Sequence, residues 1–133
     1  MSDAKSNYLE NKVLDHFLGT TESTFVTQKY LALHTANPTD TGGGAEVSNS
    51  NGYSRQAINF NSASNGSATS NGAVEFTANS SGGFGTVTHF GIWDDSNYGQ
   101  GNLIYYGALT TSKTIAANDT LRFADTNITI SET

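Results

Sequence analysis

The chain has 133 residues with a formal net charge of −6, and 61 of the residues are Ser, Thr, Asn or Gly, whereas only 14% are charged. This length fits one domain, and the neutral polar composition is typical of a β-rich binding or assembly module rather than an enzyme. The negative charge argues against electrostatic binding to nucleic acid or anionic lipid. The absence of cysteine excludes disulfides and thiolate metal sites.

The first predicted element is an amphipathic helix over Tyr8–Leu18. Leu9, Val13 and Phe17 recur every four residues and share one face, whereas polar side chains occupy the other faces. An isolated helix of this length is marginal in water, so its apolar face must pack on another surface. That surface is either the chain's own sheet or a neighbouring subunit. In the second case Leu9, Val13 and Phe17 form part of the interface.

Both ends of this helix carry sequence signals. Asn7 and Glu10 have the spacing of a capping box, and a carboxylate in the first turn also suits the helix dipole. Gly19 suits the left-handed position that follows many helices. We therefore expect Asn7 to be the N-cap and Gly19 to end the helix in the left-handed conformation.

Beyond Gly19 the apolar residues alternate with a period of two, which indicates strands. The first two strands are predicted over Thr24–Thr35 and Tyr53–Phe60, and the first is apolar on both faces near its end, as in a central strand. The loop between them, Asn37–Gly52, is longer than most connectors. We expect it to be a binding loop or a mobile flap, with a flexible hinge at Gly42–Gly44.

The later strands share short alternating patterns separated by polar turns. They are a weak edge strand at Ala68–Ser70, a short strand at Val74–Thr77, a central hairpin of Thr86–Asp94 with Leu103–Leu109, and a final pair at Thr120–Phe123 and Asn127–Ile130. In the hairpin, Val87, His89, Gly91 and Trp93 are expected on one face. Gly91 and Gly107 interrupt strand patterns, which indicates a bulge or a bulky neighbour packed close by.

Seven or so short strands predict an all-β fold, an antiparallel β-sandwich or jelly-roll-like domain with one N-terminal amphipathic helix. We divide the chain into a helical docking segment, residues 1–19, and a β-sandwich domain, residues 20–133, with Tyr53 and Trp93 in its core. The apolar fraction of 35% is low, and a sparse core of this kind is often completed by oligomerisation. No stretch could span a bilayer and no signal peptide is visible, so we expect synthesis in the cytoplasm and no membrane partner.

Catalytic and metal-binding patterns are weak. His16, His34 and His89 stand outside any known catalytic motif, and His89 lies in a strand pattern, so we expect no catalytic residue. Asp94 and Asp95 could offer oxygen ligands to calcium, but adjacent acids at a turn mostly form the turn itself. We expect no metal and no cofactor.

A sugar-binding surface is an alternative reading of five aromatic residues. Tyr53, Trp93, Tyr98, Tyr105 and Tyr106 could line such a surface, although aromatic side chains more often fill a core or an interface.

Five segments in order resemble a family of small bacteriophage virion proteins commonly labelled tail fibre protein. The segments are NYLENKVLDHFLG, YLALHTANPTD, EVSNSNGYSRQAINF, GTVTHFGIWD and GNLIYYGALTTSKTIAANDTLRFADTNITI, which together run from Asn7 to Ile130. Such sandwiches also resemble capsid cement proteins, which decorate phage heads, usually as trimers. The family offers no catalytic residues to carry over.

The resemblance implies a non-enzymatic virion structural protein, made in the host cytoplasm and assembled as a homotrimer. We expect it to decorate or cement the capsid, with the major capsid protein as its partner. The alternative is a tail-associated protein of the fibre type, structural or receptor- and glycan-binding, with tail proteins as partners. Neither reading includes a nucleic-acid partner, a membrane partner or a cofactor.

Overall fold

The computed structural model describes residues 2–19 and 27–132, which form nine strands and one helix, α1 (Asn7–Phe17). The strands are β1 (Ser2–Lys5), β2 (Lys29–His34), β3 (Gln56–Phe60), β4 (Ser67–Asn71), β5 (Val74–Thr77), β6 (Gly85–Trp93), β7 (Leu103–Ile115), β8 (Thr120–Phe123) and β9 (Thr129–Ser131). The predicted all-β fold with one short N-terminal helix is confirmed. No helix in the described ranges has the length and apolar character needed to cross a bilayer.

The strands form two antiparallel sheets that share one core. Seven strands lie in the order β1-β7-β6-β2-β3-β4-β9, and β5 pairs with β8 in a second, two-stranded sheet. Phe76 of β5 and Phe123 of β8 are buried in the same cluster as Leu31, Leu33 and Phe90 of the large sheet. The two sheets therefore face each other as in a sandwich. Their division into seven and two strands gives no support to a jelly roll, which has eight strands in two sheets.

Strand β2 separates two apolar clusters on opposite faces of the large sheet. Leu31 and Leu33 belong to the main core, whereas Ala32 belongs to a smaller cluster with Trp93 and Leu103. Successive strand residues point to opposite faces, so β2 is apolar on both sides, as its sequence predicts. Tyr53 lies in the main core and Trp93 in the smaller cluster, so both are buried as predicted, but not together.

Several predicted strands have different bounds or neighbours in the structure. The start of the predicted Thr24–Thr35 strand lies outside the described residues, and β3 begins three residues later than predicted, because Tyr53 and Arg55 make contacts of their own before it. The β6–β7 hairpin is confirmed, and β7 continues past Leu109 to Ile115.

The placement of the weak strand near Ala68–Ser70 at an edge was wrong, because β4 lies between β3 and β9. The last two strands are not partners of each other either, since β8 pairs with β5 and β9 with β4. Strand β1, which pairs with β7 at the other edge of the sheet, has no apolar alternation and was missed.

The prediction that four residues of β6 share one face of the sheet is also wrong. Val87 was expected beside His89, Gly91 and Trp93, but the pairing of β6 with β7 shifts between Val87 and His89. This irregularity turns Val87 to the main core, where it lies with Phe90. A bulge of this kind inserts a residue and breaks the two-residue period, so alternation alone could not reveal it.

The helix begins one residue earlier than predicted, and its cap is Ser6 rather than Asn7. The Ser6 hydroxyl accepts a hydrogen bond from Leu9 N at 3.2 Å and donates one to the backbone oxygen of Leu103 on β7. Ser6 is 1% exposed, so this tertiary contact selects it over its neighbour. Gly19 follows the C-cap, but its φ lies outside the left-handed region, which corrects the second expectation.

Candidate functional site

The C-terminal end of α1 is the most exposed apolar surface among the described residues. Leu14, Phe17 and Leu18 are 53%, 75% and 81% exposed, and we call these three side chains the helix tip. The three predicted interface residues differ in their exposure. Leu9 and Val13 are half-buried, whereas Phe17 is exposed. The helix contacts β1 and β7, so its N-terminal part packs on the chain's own sheet and its tip does not.

Backbone and side-chain hydrogen bonds fix the start of α1 against the rest of the chain. Besides the Ser6 cap, Asn7 N donates to Asp40 O at 3.0 Å. The Tyr106 hydroxyl donates to the Asp40 carboxylate, and this hydrogen bond is the main reason why the pKa of Tyr106 rises to about 12. These hydrogen bonds fix where the helix starts and thereby set the position of the helix tip on the surface.

A second set of polar contacts lies beneath the loop of residues 37–52. Arg55 donates from Nε and Nη2 to the two carboxylate oxygens of Glu46, at 3.0 and 2.9 Å. The Arg55 side chain is 0% exposed and that of Glu46 is 9% exposed. Such a bidentate pair requires a specific geometry. Removing the two charges from water costs free energy, and their mutual attraction and hydrogen bonds offset this cost.

The Arg55 guanidinium also ties the loop to the β6–β7 turn. Its Nη1 donates to the backbone oxygens of Asp95 and Gln100 at 2.8 and 2.9 Å, and its Cζ lies 4.2 Å from the centroid of the Trp93 ring. One buried cation thus joins an acidic residue of one loop, two carbonyls of another and an indole face. The sequence predicts no role for Arg55 or Glu46, because their nine-residue separation across a loop carries no motif.

Tyr53 connects this ion pair to the main core. Its hydroxyl donates to Glu46 at 2.7 Å and accepts from Leu33 N at 3.1 Å. Burial, followed by the nearby Glu46 carboxylate, raises the pKa of Tyr53 well above its ordinary value, so it stays a donor. Its ring stacks on Phe76, with centroids 6.1 Å apart.

The loop of residues 37–52 is packed against the end of β2. Val47 N donates to Leu33 O, Thr35 N donates to Ala45 O, and the buried His34 places Nδ1 2.6 Å from Gly44 O. A Cβ on Gly44 would meet Asn37 O at 2.2 Å. Glycine at this position is thus explained by close backbone packing rather than by the predicted hinge.

The five aromatic residues of the sugar-binding alternative do not form one surface. Tyr53 and Trp93 are buried, and Arg55 covers one face of the Trp93 ring. Tyr98 is exposed and meets Tyr53 edge to face, whereas Tyr105 and Tyr106 are hydrogen-bonded to Glu132 and Asp40. The recess lined by Gly42–Gly44, Trp93 and Tyr98 holds about 160 Å³, and Trp93 is only 6% exposed.

The other candidate residues serve local structure. Asp94 accepts from Asn102 N and Nδ2, and Asp95 accepts from Asn97 N, so both acids form the β6–β7 turn. Across the described ranges, no group of three or more His, Asp and Glu side chains is placed to hold a metal ion. His89 lies in β6 beside the Thr88 hydroxyl, at 2.8 Å, as a strand histidine.

An apolar cavity opens where β9 approaches β7. It holds about 210 Å³ and is walled mainly by Phe60, Ile92, Ile104 and Ile130. At its rim, Glu132 forms an ion pair with Lys5 at 2.9 Å and accepts a hydrogen bond from Tyr105. Burial alone would raise the pKa of Glu132, but these two partners outweigh it and lower the pKa. We call this feature the seam cavity.

Substitution Glu46→Gln should lower the free energy of unfolding by about 3–5 kcal/mol, because it leaves the buried Arg55 charge without its counterion. The matched control is Glu75→Gln, which removes the carboxylate of the exposed Glu75–Arg122 pair and should cost less than about 1 kcal/mol. Urea unfolding followed by circular dichroism measures both. Equal losses in the two variants would contradict a central role for the buried pair.

The stability of the fold should fall as the pH drops below 6.5. Burial is the main reason why the pKa of His34 is lowered from its ordinary 6.5, and the nearby Arg55 and His89 lower it further. The hydrogen bond to the Gly44 carbonyl and the Glu46 carboxylate act in the opposite direction but do not outweigh burial. The unfolded chain therefore binds the proton first, and the stabilisation present above pH 6.5 is lost below it.

Urea unfolding between about pH 7.5 and pH 5, above the range where most carboxylates titrate, measures this dependence. His34→Gln should flatten the slope. His89→Gln should leave most of it, because His89 is less buried although burial also lowers its pKa. A slope that persists in His34→Gln and disappears in His89→Gln would reverse the assignment.

The comparison with known proteins agrees with this picture of a structural β-protein. Residues 4–131 match the family described as Podophage GP4 fiber I protein gp80. No curated protein matches the chain. The family description supports the tail fibre-type reading of the five sequence segments and gives no support to capsid decoration. Since the match spans nearly the whole chain, the chain belongs to this family of phage fibre proteins and is a virion component of structural type.

Proposed function

We propose that the protein is a tail-associated structural subunit that works by binding rather than by catalysis, and that it forms a homotrimer through the helix tip. The observation that carries this proposal is the exposure of Leu14, Phe17 and Leu18 at the end of a helix whose start is rigidly anchored. The proposed occupant of the helix tip is a second copy of the same chain.

The energetics favour burial of the helix tip. Burying one large apolar side chain contributes roughly 1.5–3 kcal/mol, so three side chains per interface give a useful driving force before the entropy of association is subtracted. In a ring of copies each chain contributes to two interfaces. A fibre also repeats its subunits, so modest contacts add up through avidity.

The seam cavity is the proposed counterpart of the helix tip. A closed trimer requires a heterologous interface, in which one patch of each copy meets a different patch of the next. The seam cavity is apolar and has room for an aromatic side chain such as Phe17. One protruding and one recessed apolar feature on the same chain supply the two patches that such a ring needs.

The tail assignment rests on the family description, since that description names a fibre protein. We favour it over the capsid-decorating role expected from the sequence, because the family description gives that role no support. The non-enzymatic part of the proposal is supported by the local roles of Asp94, Asp95 and His89 in turns and strands.

Quantitative mass spectrometry of purified particles tests the tail assignment. A tail-associated subunit should be present in a few dozen copies or fewer, because a tail offers few equivalent positions. A capsid-decorating protein would be present in hundreds of copies, since the head lattice is extensive. Hundreds of copies, or absence from mature particles, would overturn the assignment.

Substitution Phe17→Ser should shift the purified protein from trimer towards monomer, because it removes apolar area from the interface. Light scattering coupled to size-exclusion chromatography measures the shift at several concentrations. Tyr98→Ser is the matched control, since Tyr98 is exposed but belongs to the β6–β7 turn rather than to α1, and it should leave the trimer intact. A wild-type monomer at high concentration would refute self-association.

The heterologous geometry can be tested with complementary variants. Ala63→Glu places a charge at the mouth of the seam cavity, where Ala63 is exposed. Each variant alone should be monomeric, but a mixture of Phe17→Ser and Ala63→Glu should form heterodimers, because one intact tip then meets one intact cavity. If the mixture stays monomeric while each variant remains folded, the seam cavity is not the counterpart.

A further inference from the structure

The chain contains three Asn-Gly pairs, Asn51–Gly52, Asn65–Gly66 and Asn71–Gly72. In such a pair the glycine has no side chain that hinders its backbone nitrogen, so the asparagine amide is open to attack by that nitrogen. The attack leads to spontaneous deamidation, a covalent change that turns a neutral side chain into a charged one. The contacts of the three pairs differ, and these contacts determine which asparagine reacts first.

Deamidation of an Asn-Gly pair proceeds in two steps. The glycine nitrogen loses its proton and bonds to the asparagine Cγ, and the side-chain nitrogen leaves as ammonia. Water then adds to one of the two carbonyl carbons of the resulting succinimide, which breaks a C–N bond and gives aspartate or isoaspartate. The reaction therefore requires a mobile amide, a glycine N–H without a strong acceptor and a backbone that can change its conformation.

The side chain of Asn51 is held away from this reaction. Its Nδ2 donates to Gly83 O at 2.9 Å, and its backbone oxygen accepts from Asn79 N at 2.9 Å. A Cβ on Gly82 would lie 2.8 Å from Asn51 Nδ2, so the half-buried amide is also packed against the chain. Moving the amide over the next nitrogen would break these contacts.

Asn71 is exposed, but the nitrogen that would attack it is engaged. Gly72 N donates to the Asp125 carboxylate at 2.8 Å. This charge-assisted hydrogen bond must break before the attack, and the negative carboxylate opposes loss of the amide proton. Asn71 also ends β4 and pairs with Asn59 of β3, so the sheet restrains its backbone.

Asn65 lies at the tip of the hairpin that leads into β4. Ser64 and Ser67 exchange backbone hydrogen bonds of 2.8 and 3.1 Å, and φ is 53° at Asn65 and 77° at Gly66, as a type I′ turn requires. Both turn residues are exposed, and within residues 2–19 and 27–132 neither the Asn65 amide nor Gly66 N has a hydrogen-bond partner. Local opening of this tip, which is easiest at exposed turns, is enough to bring the two groups together.

We propose that Asn65 is the site of spontaneous deamidation in this protein and is converted to aspartate and isoaspartate before Asn51 and Asn71. The product adds a negative charge to the hairpin tip, and isoaspartate also adds one carbon to the backbone of a two-residue turn. Gly66 O accepts from Glu132 N at 2.7 Å, and both residues line the seam cavity. The modification therefore alters the mouth of that cavity.

Peptide mapping by mass spectrometry tests the site on the folded full chain, incubated in mildly alkaline buffer. Replacement of the side-chain NH₂ by OH changes the mass of each Asn-Gly peptide separately, and fragmentation by electron transfer distinguishes isoaspartate from aspartate. Asn65 should convert several-fold faster than Asn51 or Asn71. Equal rates at the three positions, or faster conversion at either of the other two, would overturn the proposal.

The same incubation in concentrated urea is the matched control. The three pairs share the same reacting residues, so their rates should become similar once the folded contacts are lost. If Asn65 keeps its full lead in urea, the tertiary structure does not select the site and the physical basis of the proposal is wrong.

Two variants test the contacts one at a time. Asp125→Ala frees Gly72 N, so it should speed conversion of Asn71 and leave the rate at Asn65 unchanged. Asn65→Gly keeps a residue suited to positive φ, so the turn is retained, and it should remove most of the acidic species that ion-exchange chromatography separates from aged protein. Acidic species that form at the wild-type rate in folded Asn65→Gly would refute the assigned position.

Discussion

The buried ion pair of Glu46 and Arg55 is the constraint around which one face of the molecule is organised. A guanidinium removed from water needs hydrogen-bond partners, and here four of its five N–H donors have one, two on the Glu46 carboxylate and two on the Asp95 and Gln100 carbonyls. Satisfying this cation fixes the loop of residues 37–52 and the β6–β7 turn at once. In a chain without disulfides, this polar cluster takes the role of a cross-link between loops.

The large sheet thus carries two different kinds of packing. One face builds an apolar core with the β5–β8 sheet, while the other places Trp93 beneath the polar contacts of Arg55 and His34. Neither of these two packed regions includes the C-terminal end of α1, although the first turn of the helix is held by Ser6 and Asp40. A β-body that presents an exposed apolar tip is consistent with the structural role of a fibre protein family.

Sequence periodicity predicted the elements wherever local pattern and tertiary contacts agree. The alternation at Val74–Thr77 and at Thr120–Phe123 located β5 and β8 correctly, because each strand buries one face. Prediction failed where a contact between residues far apart in the sequence determines the local structure. Ser6 caps the helix because its hydroxyl donates a hydrogen bond to the Leu103 carbonyl, and β1 is a strand because it pairs with β7. The docking roles of Leu9, Val13 and Phe17 stay predictions, although their unequal exposure now singles out Phe17.

The sequence by itself determined the fold class, the helix, most strands and the resemblance to phage virion proteins, since these depend on residue periodicity and ordered motifs along the chain. Only the tertiary structure decided that Glu46 and Arg55 pair, that Val87 turns inward and that Trp93 and His34 meet beside Gly91. The physical reason is that such contacts join residues from different strands and loops, and their partners are set by sheet register and bulges, which no local pattern encodes.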